Sequence, residues 1–323
     1  MRLIKNFFFS TLFIFLSFLI GLIICESILR LKHSLIINYD IEMWKYAKQL
    51  KQKDIDPKIG HTHIRDKSSY LQKVNIKINN YGQRDIDYNN STLSKHDRSF
   101  LILGSSITLG WGVSKDDMFS NVLNKMSKLD NKNWIFINGG VGNYNTERYV
   151  NNYFKNWKEL EFTDIIIHFF VNDTEVIEDS EVNFFTKNTH LGVVVWKLIN
   201  LYKSTFKKEK LNDYYKEKYN DNYRGFKVAK EELKKLKKYC DINNINCHLV
   251  LMPDIHQLEP YKLSFINKKI SLFSNEINMP YHDLLGSFAS LKKKRISNKY
   301  QDPHPNVYGH KIIAEGVYSF LSK

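Results

Sequence analysis

Three cysteines in 323 residues are too few for a disulfide framework. Cys25 stands in an apolar run. Cys240 and Cys247 flank a short turn, "CDINNINC", and either pair in an oxidising compartment or remain two free thiols. No zinc-finger spacing occurs, and His61 and His63 alone are too few ligands for a metal site. Internal repeats and low-complexity tracts are missing as well. Acid is in deficit: 34 Asp and Glu face 48 Lys and Arg, a formal net charge of +14. Such a surplus suits nucleic acid, an anionic membrane surface or a polyanion. The lysines are mixed with acids, as in "KVAKEELKKLKKY", and no single-strand stacking motif accompanies them. The charge therefore reads as a solvated surface near an anionic membrane, and nucleic acid is not an expected partner.

A long uncharged run stands near the start, "FFFSTLFIFLSFLIGLIIC", from Phe7 to Cys25. A membrane span needs about 20 predominantly apolar residues. No small-residue cleavage site follows the run, and Leu-Ile-Ile before Cys25 does not suit a lipoprotein site. Residues 1–32 read as an uncleaved anchor with its flanks, the N-terminus inside and the rest of the chain outside. Residues 33–95 read as a juxtamembrane stalk and a small β element. The charged helical period runs to about residue 56, and "KVNIKINNYGQRD" then alternates apolar and polar up to an Asn-Tyr-Gly turn signal.

From residue 96 to 323 strand-like and helix-like segments alternate. "RSFLILG", "NWIFING", "TDIIIHFFVND" and "NCHLVLMP" read as buried strands, and "MPYHDLL" as a short fifth. Helical patterns separate them, and "NVYGHKIIAEGVYSFL" closes the chain as a helix. This rhythm means parallel pairing and a three-layer α/β/α sandwich with a flavodoxin-like sheet. An insertion at about 174–222 breaks it with an apolar patch, "LGVVVWKLINLY", which suits either a lid or a membrane-facing surface.

In such sheets the active groups gather beyond the carboxyl ends of the strands. Ser105 and Ser106 follow the first strand, and the glycines of "NGGVGN" the second. Asn172 and Asp173 follow the third; Asp302 and His304, in "QDPHPN", precede the last helix. A serine needs a base, the base a carboxylate to fix its tautomer, and the tetrahedral oxyanion needs hydrogen-bond donors. Those are the parts of an acyl-transfer site. Other readings of the glycine turn fail in detail. A P-loop ends in Gly-Lys-[Ser/Thr], but Trp111 follows Gly110; a dinucleotide fingerprint needs a third glycine after Gly110 and Gly112. The α/β-hydrolase elbow, Gly-x-Ser-x-Gly, needs glycine where Thr108 stands. Asp254 and His256 follow the fourth strand and are candidates to line the pocket, whereas His310 reads as a helix residue. The "NDT" at Asn172 matches a glycosylation sequon, which a buried strand end does not suit.

These blocks resemble the SGNH (GDSL-type) hydrolase family, over roughly residues 57–321. "GSSITLG" is similar to its Gly-Asp-Ser-x-Thr-x-Gly block, "NGGVGN" to Asn-x-Gly-x-x-Gly, and "FVND" to Gly-x-Asn-Asp. The lead-in "INNYGQRD" looks like that of membrane-anchored members similar to polysaccharide O-acetylation proteins. The resemblance implies Ser106 as nucleophile, His304 as base and Asp302 as its carboxylate. It also implies Asn172 and the amides of Ser106 and of Gly142 or Asn143 as oxyanion donors, with no cofactor and no metal. Ser105 stands in place of the family aspartate, Asn143 and Phe170 in place of glycines, and the Asp-x-His spacing is one residue shorter than the commoner form. The implied function is a serine esterase or O-acyltransferase on cell-envelope carbohydrate or lipid, outside the cytoplasm. The alternative is an impaired SGNH-fold module that binds glycan or an assembly partner.

Overall fold

The computed structural model describes residues 2–178, 183–205, 211–256, 258–288, 296–298 and 304–323. The uncharged run lies in helix α1 (Arg2–Leu35), whose Ile4–Leu35 stretch is long and apolar enough to cross a membrane, an 18-residue window of it reaching a mean hydropathy of 2.6. Helix α2 (Tyr39–Leu50) follows. The helical period expected up to about residue 56 stops at Leu50. Lys51–Lys53 is a strand, β1, antiparallel to β2 (His61–His63), with Lys51 opposite His63. Gly60 at φ +70 and the Asp56 carbonyl, which accepts from the Ile59 and Gly60 N–H groups, close this hairpin. Strands β3 (Ser68–Leu71) and β4 (Val74–Lys77) form a second hairpin. Its two turn residues, Gln72 and Lys73, both have positive φ, 50° and 64°. The expected small β element is thus two hairpins, followed by one turn of helix, α3 (Asn90–Leu93).

Five strands then build a parallel sheet around helices numbered in chain order. They are β5 (Arg98–Gly104), α4 (Ser106–Leu109), α5 (Phe119–Leu129), β6 (Trp134–Gly140), α6 (Thr146–Asn156) and β7 (Asp164–Phe170). The inserted helices α7 (Phe184–Asn188), α8 (His190–Thr205) and α9 (Leu211–Lys218) come next. After them run α10 (Arg224–Ile242), β8 (Asn246–Met252), α11 (Ser264–Glu276), β9 (Tyr281–Asp283), α12 (Leu285–Phe288) and α13 (Val307–Leu321). The sheet order is β6-β5-β7-β8-β9, every neighbour parallel. This is the flavodoxin-like 2-1-3-4-5 order, so the sequence-based expectation of fold class holds. All seven residues of β7 are buried, as a near-continuous apolar strand covered on both faces must be. Helices α5 and α13 pack together on one face; α6, α10 and α11 cover the other, where Lys234 and Glu276 join α10 to α11 at 2.7 Å. Sheet growth changes direction between β5 and β7, the place beyond whose carboxyl ends sheets of this kind bind their ligands.

The chain divides into two units, Met1–Lys48 with Ser180–Lys208, and Gln49–Asp179 with Glu209–Lys323. The second holds the sheet. In the first, α8 packs against α1. The Glu26 carboxylate accepts from the backbone N–H groups of His190 and Leu191, at 3.0 and 2.8 Å, and caps the start of α8. Lys197 pairs with Asp40 at 2.5 Å. Outward from α8 project Val195, Trp196, Leu198, Ile199, Leu201 and Tyr202, all exposed. In the second unit, Cys240 and Cys247 are buried free thiols, and a hydrogen bond between them helps to push the Cys247 pKa up.

Candidate active site

The first polar turn leaves β5 at a glycine for a steric reason. A Cβ on Gly104 would meet the Thr108 hydroxyl and lie 2.9 Å from the His168 carbonyl oxygen, so a larger residue would hold the returning chain off the strand. Ser105 is the N-cap of α4, buried, and makes no side-chain capping bond. Ser106 is the first residue of α4 and half-buried, so its N–H has no acceptor within the helix. Gly110, at φ +75, ends the turn. Two bonds fix α4 from below. Thr108 Oγ1 and His168 Nδ1 lie 2.9 Å apart, and the Asn138 side-chain amide donates to the Thr108 carbonyl at 2.6 Å. Gly140 lets α4 approach β6, because a Cβ there would lie 2.6 Å from Thr108 C and closer still to Leu109 N.

His304 stands two residues before the N-cap of α13, Asn306, whose side chain accepts from the Gly309 N–H at 3.0 Å. Its backbone is held against residues 296–298. Ser297 and Pro305 form an antiparallel bridge, and the Asn298 N–H donates to the His304 carbonyl at 3.0 Å. The ring is buried, and Nε2 lies 2.7 Å from Ser106 Oγ. The two residues expected from the sequence as nucleophile and base, 198 positions apart in the chain, thus lie at hydrogen-bond distance. Asp302 lies outside the described residues.

The second and third blocks leave neighbouring strands at the same level. In the sheet register Gly104 faces Gly140 on one side and His168 on the other. The Val141 N–H donates to the Gly104 carbonyl at 3.2 Å, which seats the loop after β6 beside that after β5. Gly142 is buried. Asn143 is exposed and takes φ +63, the left-handed conformation that explains the glycine of the resembling pattern and that asparagine tolerates better than most residues. Beyond β7, Asp173 closes a turn: its N–H donates to the Phe170 carbonyl at 2.9 Å, and its Oδ2 accepts from the Phe170 N–H at 3.1 Å. Burial pushes the Asp173 carboxyl well above the usual range. The Asp173 carbonyl accepts from the Thr146 N–H at 3.0 Å, tying this turn to the start of α6. Asn172, at its crest, is half-buried, and its Oδ1 has no hydrogen-bond partner among the described residues.

Several residues that matter here carry no motif. Arg84 is 1% exposed, and its guanidinium donates to the carbonyls of Leu109, Gly110 and Val113 at 3.1, 2.6 and 2.8 Å. It thereby clamps the chain that follows the nucleophile. Asn298 donates to the Trp111 carbonyl at 3.0 Å and so links the histidine segment to the serine turn. That approach leaves no room for a Cβ on Gly112, which sits at φ +83. The lead-in "NYGQRD" and the "GWG" were the available signals. Asp254 and His256 pair with each other at 2.7 Å just past β8. His310 is buried in α13, accepts from the Phe119 N–H at 3.2 Å, and is held down to about 3 by burial and by neighbouring His168.

The arrangement can pass a proton from Ser106 Oγ to His304 Nε2. No family model matches the chain, and no curated protein matches it. Among solved structures it is similar to the esterase EstA from Pseudoalteromonas sp., at 13% identity, over 70% of this chain and 97% of that one, with a TM-score of 0.45. It is similar to Axe2, an acetylxylan esterase from Geobacillus stearothermophilus, at 14% identity, over 71% and 95% of the two chains, with a TM-score of 0.46. A two-domain esterase active on acetylated mannans shares 17% identity over 70% of this chain and 48% of that one, with a TM-score of 0.44.

Proposed function

We propose that this protein is a membrane-anchored serine esterase or O-acyltransferase that acts on acyl esters of cell-envelope carbohydrate or lipid. The observation that carries the reading is the 2.7 Å hydrogen bond between Ser106 Oγ and His304 Nε2 beyond the carboxyl end of β5. In this mechanism His304, oriented by Asp302, takes the Ser106 proton as Oγ attacks the ester carbonyl. The developing oxyanion is met by the N–H groups of Ser106 and of Asn143 or Gly142 and by the Asn172 side-chain amide. The protonated His304 then gives its proton to the departing alcohol. Water or a sugar hydroxyl, activated by the same histidine, takes the acyl group from Ser106. Every proton is accounted for by the histidine, and no metal enters the steps.

The long apolar α1 and the exposed apolar side chains of α8 support attachment to a membrane. The N-terminus is assigned to the inside and the sheet unit to the extracytoplasmic side, next to envelope esters. The rival reading, an impaired module that only binds glycan or a partner, draws on the changes at Ser105 and Asn143. Asn143 takes the conformation the loop requires, so that change alone does not favour it.

The test is labelling of the full chain, in detergent micelles, with a fluorophosphonate probe, followed by assay of acetate release from native envelope glycans. Labelling that disappears in Ser106→Ala is expected. A folded chain that takes no label refutes the enzyme reading.

A further inference from the structure

Behind the loop after β6 lies a basic group that the mechanism above does not use. Lys51, from β1, donates from Nζ to the Gly142 carbonyl oxygen at 2.6 Å. His61, from β2, places Nε2 at 3.0 Å from the same oxygen. The His61 tautomer follows from its other side. Arg148 NH1 lies 3.1 Å from His61 Nδ1, and a guanidinium only donates, so Nδ1 accepts and Nε2 carries the proton toward Gly142. Burial, with Lys51 and Arg148 close by, holds His61 down to about 2, so the ring stays neutral and this pattern is fixed. The Tyr144 hydroxyl donates to the His61 carbonyl, and Arg148 NH2 donates to the Ile177 carbonyl at 3.3 Å. Gly60 makes room for the guanidinium, since a Cβ there would lie 2.8 Å from Arg148 Cζ.

The consequence is for the next N–H. In a trans peptide the carbonyl of residue 142 and the N–H of residue 143 point in opposite directions across one plane. A carbonyl held from behind by two donors therefore turns the Asn143 N–H the other way, out of the clamp. Burial and neighbouring Arg148 push Lys51 down to about 7, and rotation of that peptide would take from Lys51 and from the His61 Nε2–H the carbonyl oxygen they now share. The two hydrogen bonds also polarise the peptide and strengthen its N–H as a donor.

We infer that Lys51 and His61 are positioning residues for acyl transfer, which lock the Gly142–Asn143 peptide so that the Asn143 N–H faces the oxyanion. The inference rests on the esterase reading above. The lock matters most when charge develops on the substrate oxygen, so its loss lowers kcat and leaves ground-state binding nearly untouched.

The test uses the full chain in detergent micelles with p-nitrophenyl acetate as substrate and a fluorophosphonate as transition-state-like probe. Removing one oxyanion donor outright costs on the order of 100–1,000-fold. Loosening one through a single clamp residue is expected to cost about 10-fold in kcat in Lys51→Met or His61→Leu, and about 100-fold in the double variant. KM stays within about twofold, and the rate of Ser106 labelling falls by the same factor as kcat. A folded Lys51→Met or His61→Leu chain with unchanged kcat overturns the inference, as does a rise in KM that accounts for the whole loss. If neither variant folds, the pair holds the fold rather than the peptide, and the inference is again overturned. If the unaltered chain neither turns over substrate nor labels, the esterase reading itself has failed.

Discussion

Replacing Gly140 by alanine tests whether the position of α4 on β6 sets the reactivity of Ser106. A Cβ at this position would lie 2.6 Å from Thr108 C, whereas ordinary contact begins at 3.4 Å. Both obstructing atoms belong to backbone, so no side chain can rotate out of the way. The helix must retreat by at least about 0.8 Å, since Leu109 N stands closer still, and Ser106 moves with it because α4 is a single turn. His304 is fixed separately, by the bridge between Ser297 and Pro305. A retreat directed away from the imidazole takes the 2.7 Å contact to about 3.5 Å, beyond a useful hydrogen bond. Misplacement by about 1 Å costs on the order of 100-fold in rate, and overpacking of this size costs about 1–3 kcal/mol of stability. Gly140→Ala should therefore fold, with a lower denaturation midpoint, and turn over p-nitrophenyl acetate about 100-fold more slowly. The full chain is assayed in detergent, with circular dichroism as the check on folding. A Gly140→Ala protein that keeps more than about half of the unaltered rate refutes the argument that α4 sets the nucleophile.

Arg84→Met removes three charge-assisted hydrogen bonds to buried carbonyls, each worth about 1.5–3 kcal/mol, against the relief of no longer burying a guanidinium. A net loss of about 3–5 kcal/mol is expected in urea unfolding; a loss below about 1 kcal/mol contradicts the clamp. Burial alone would raise the Asp164 carboxyl, but hydrogen bonds from His248, Arg98 and Thr163 hold it at about 2, below its ordinary 3.8. A carboxyl depressed by folding stabilises the fold above its unfolded pKa. That contribution, on the order of 2 kcal/mol, is lost as the pH falls from about 4 toward 2. Asp164→Asn should lower stability at pH 7 by a similar amount and flatten the acid limb of the pH–stability curve; a limb unchanged by the substitution refutes the assignment.

The core strands were legible because a strand buried on both faces must be a near-continuous apolar run; β5 and β6 end at glycines, the β7 run gives way at Asn172, and β8 stops before Pro253. Ser106 was legible as a polar residue at such an end, and His304, which precedes α13, through the block it shares with the resembling pattern; the two lie 2.7 Å apart. Arg84 was not, because its partners are backbone carbonyls, and a carbonyl leaves no mark of residue type in the sequence. Asn298 was hidden in a lysine-rich polar run with no period, yet its amide reaches the Trp111 carbonyl. The hairpin turn at Gln72 and Lys73 lacks the Asn-Gly signal that positive φ at both positions usually requires. Lys51 escaped notice because "YDIEMWKYAKQLKQKD" has a helical period that continues past the point where the helix stops, and His61 was weighed only as a metal ligand. The last residues of that period pair with a strand ten residues on, which no local pattern shows.

The division between the two units falls between Lys48 and Gln49, and β1 begins at Lys51. A cut just before Gln49 would leave Lys51 with the sheet unit, behind Gly142. A cut after Lys53 would release the same sheet and the same Ser106, but strand β2 would have lost its partner and Gly142 one of its two donors. A chain trimmed at residue 57 would keep Ser106 and every strand of the parallel sheet but lose Lys51, so on the positioning inference above its labelling by a fluorophosphonate would slow.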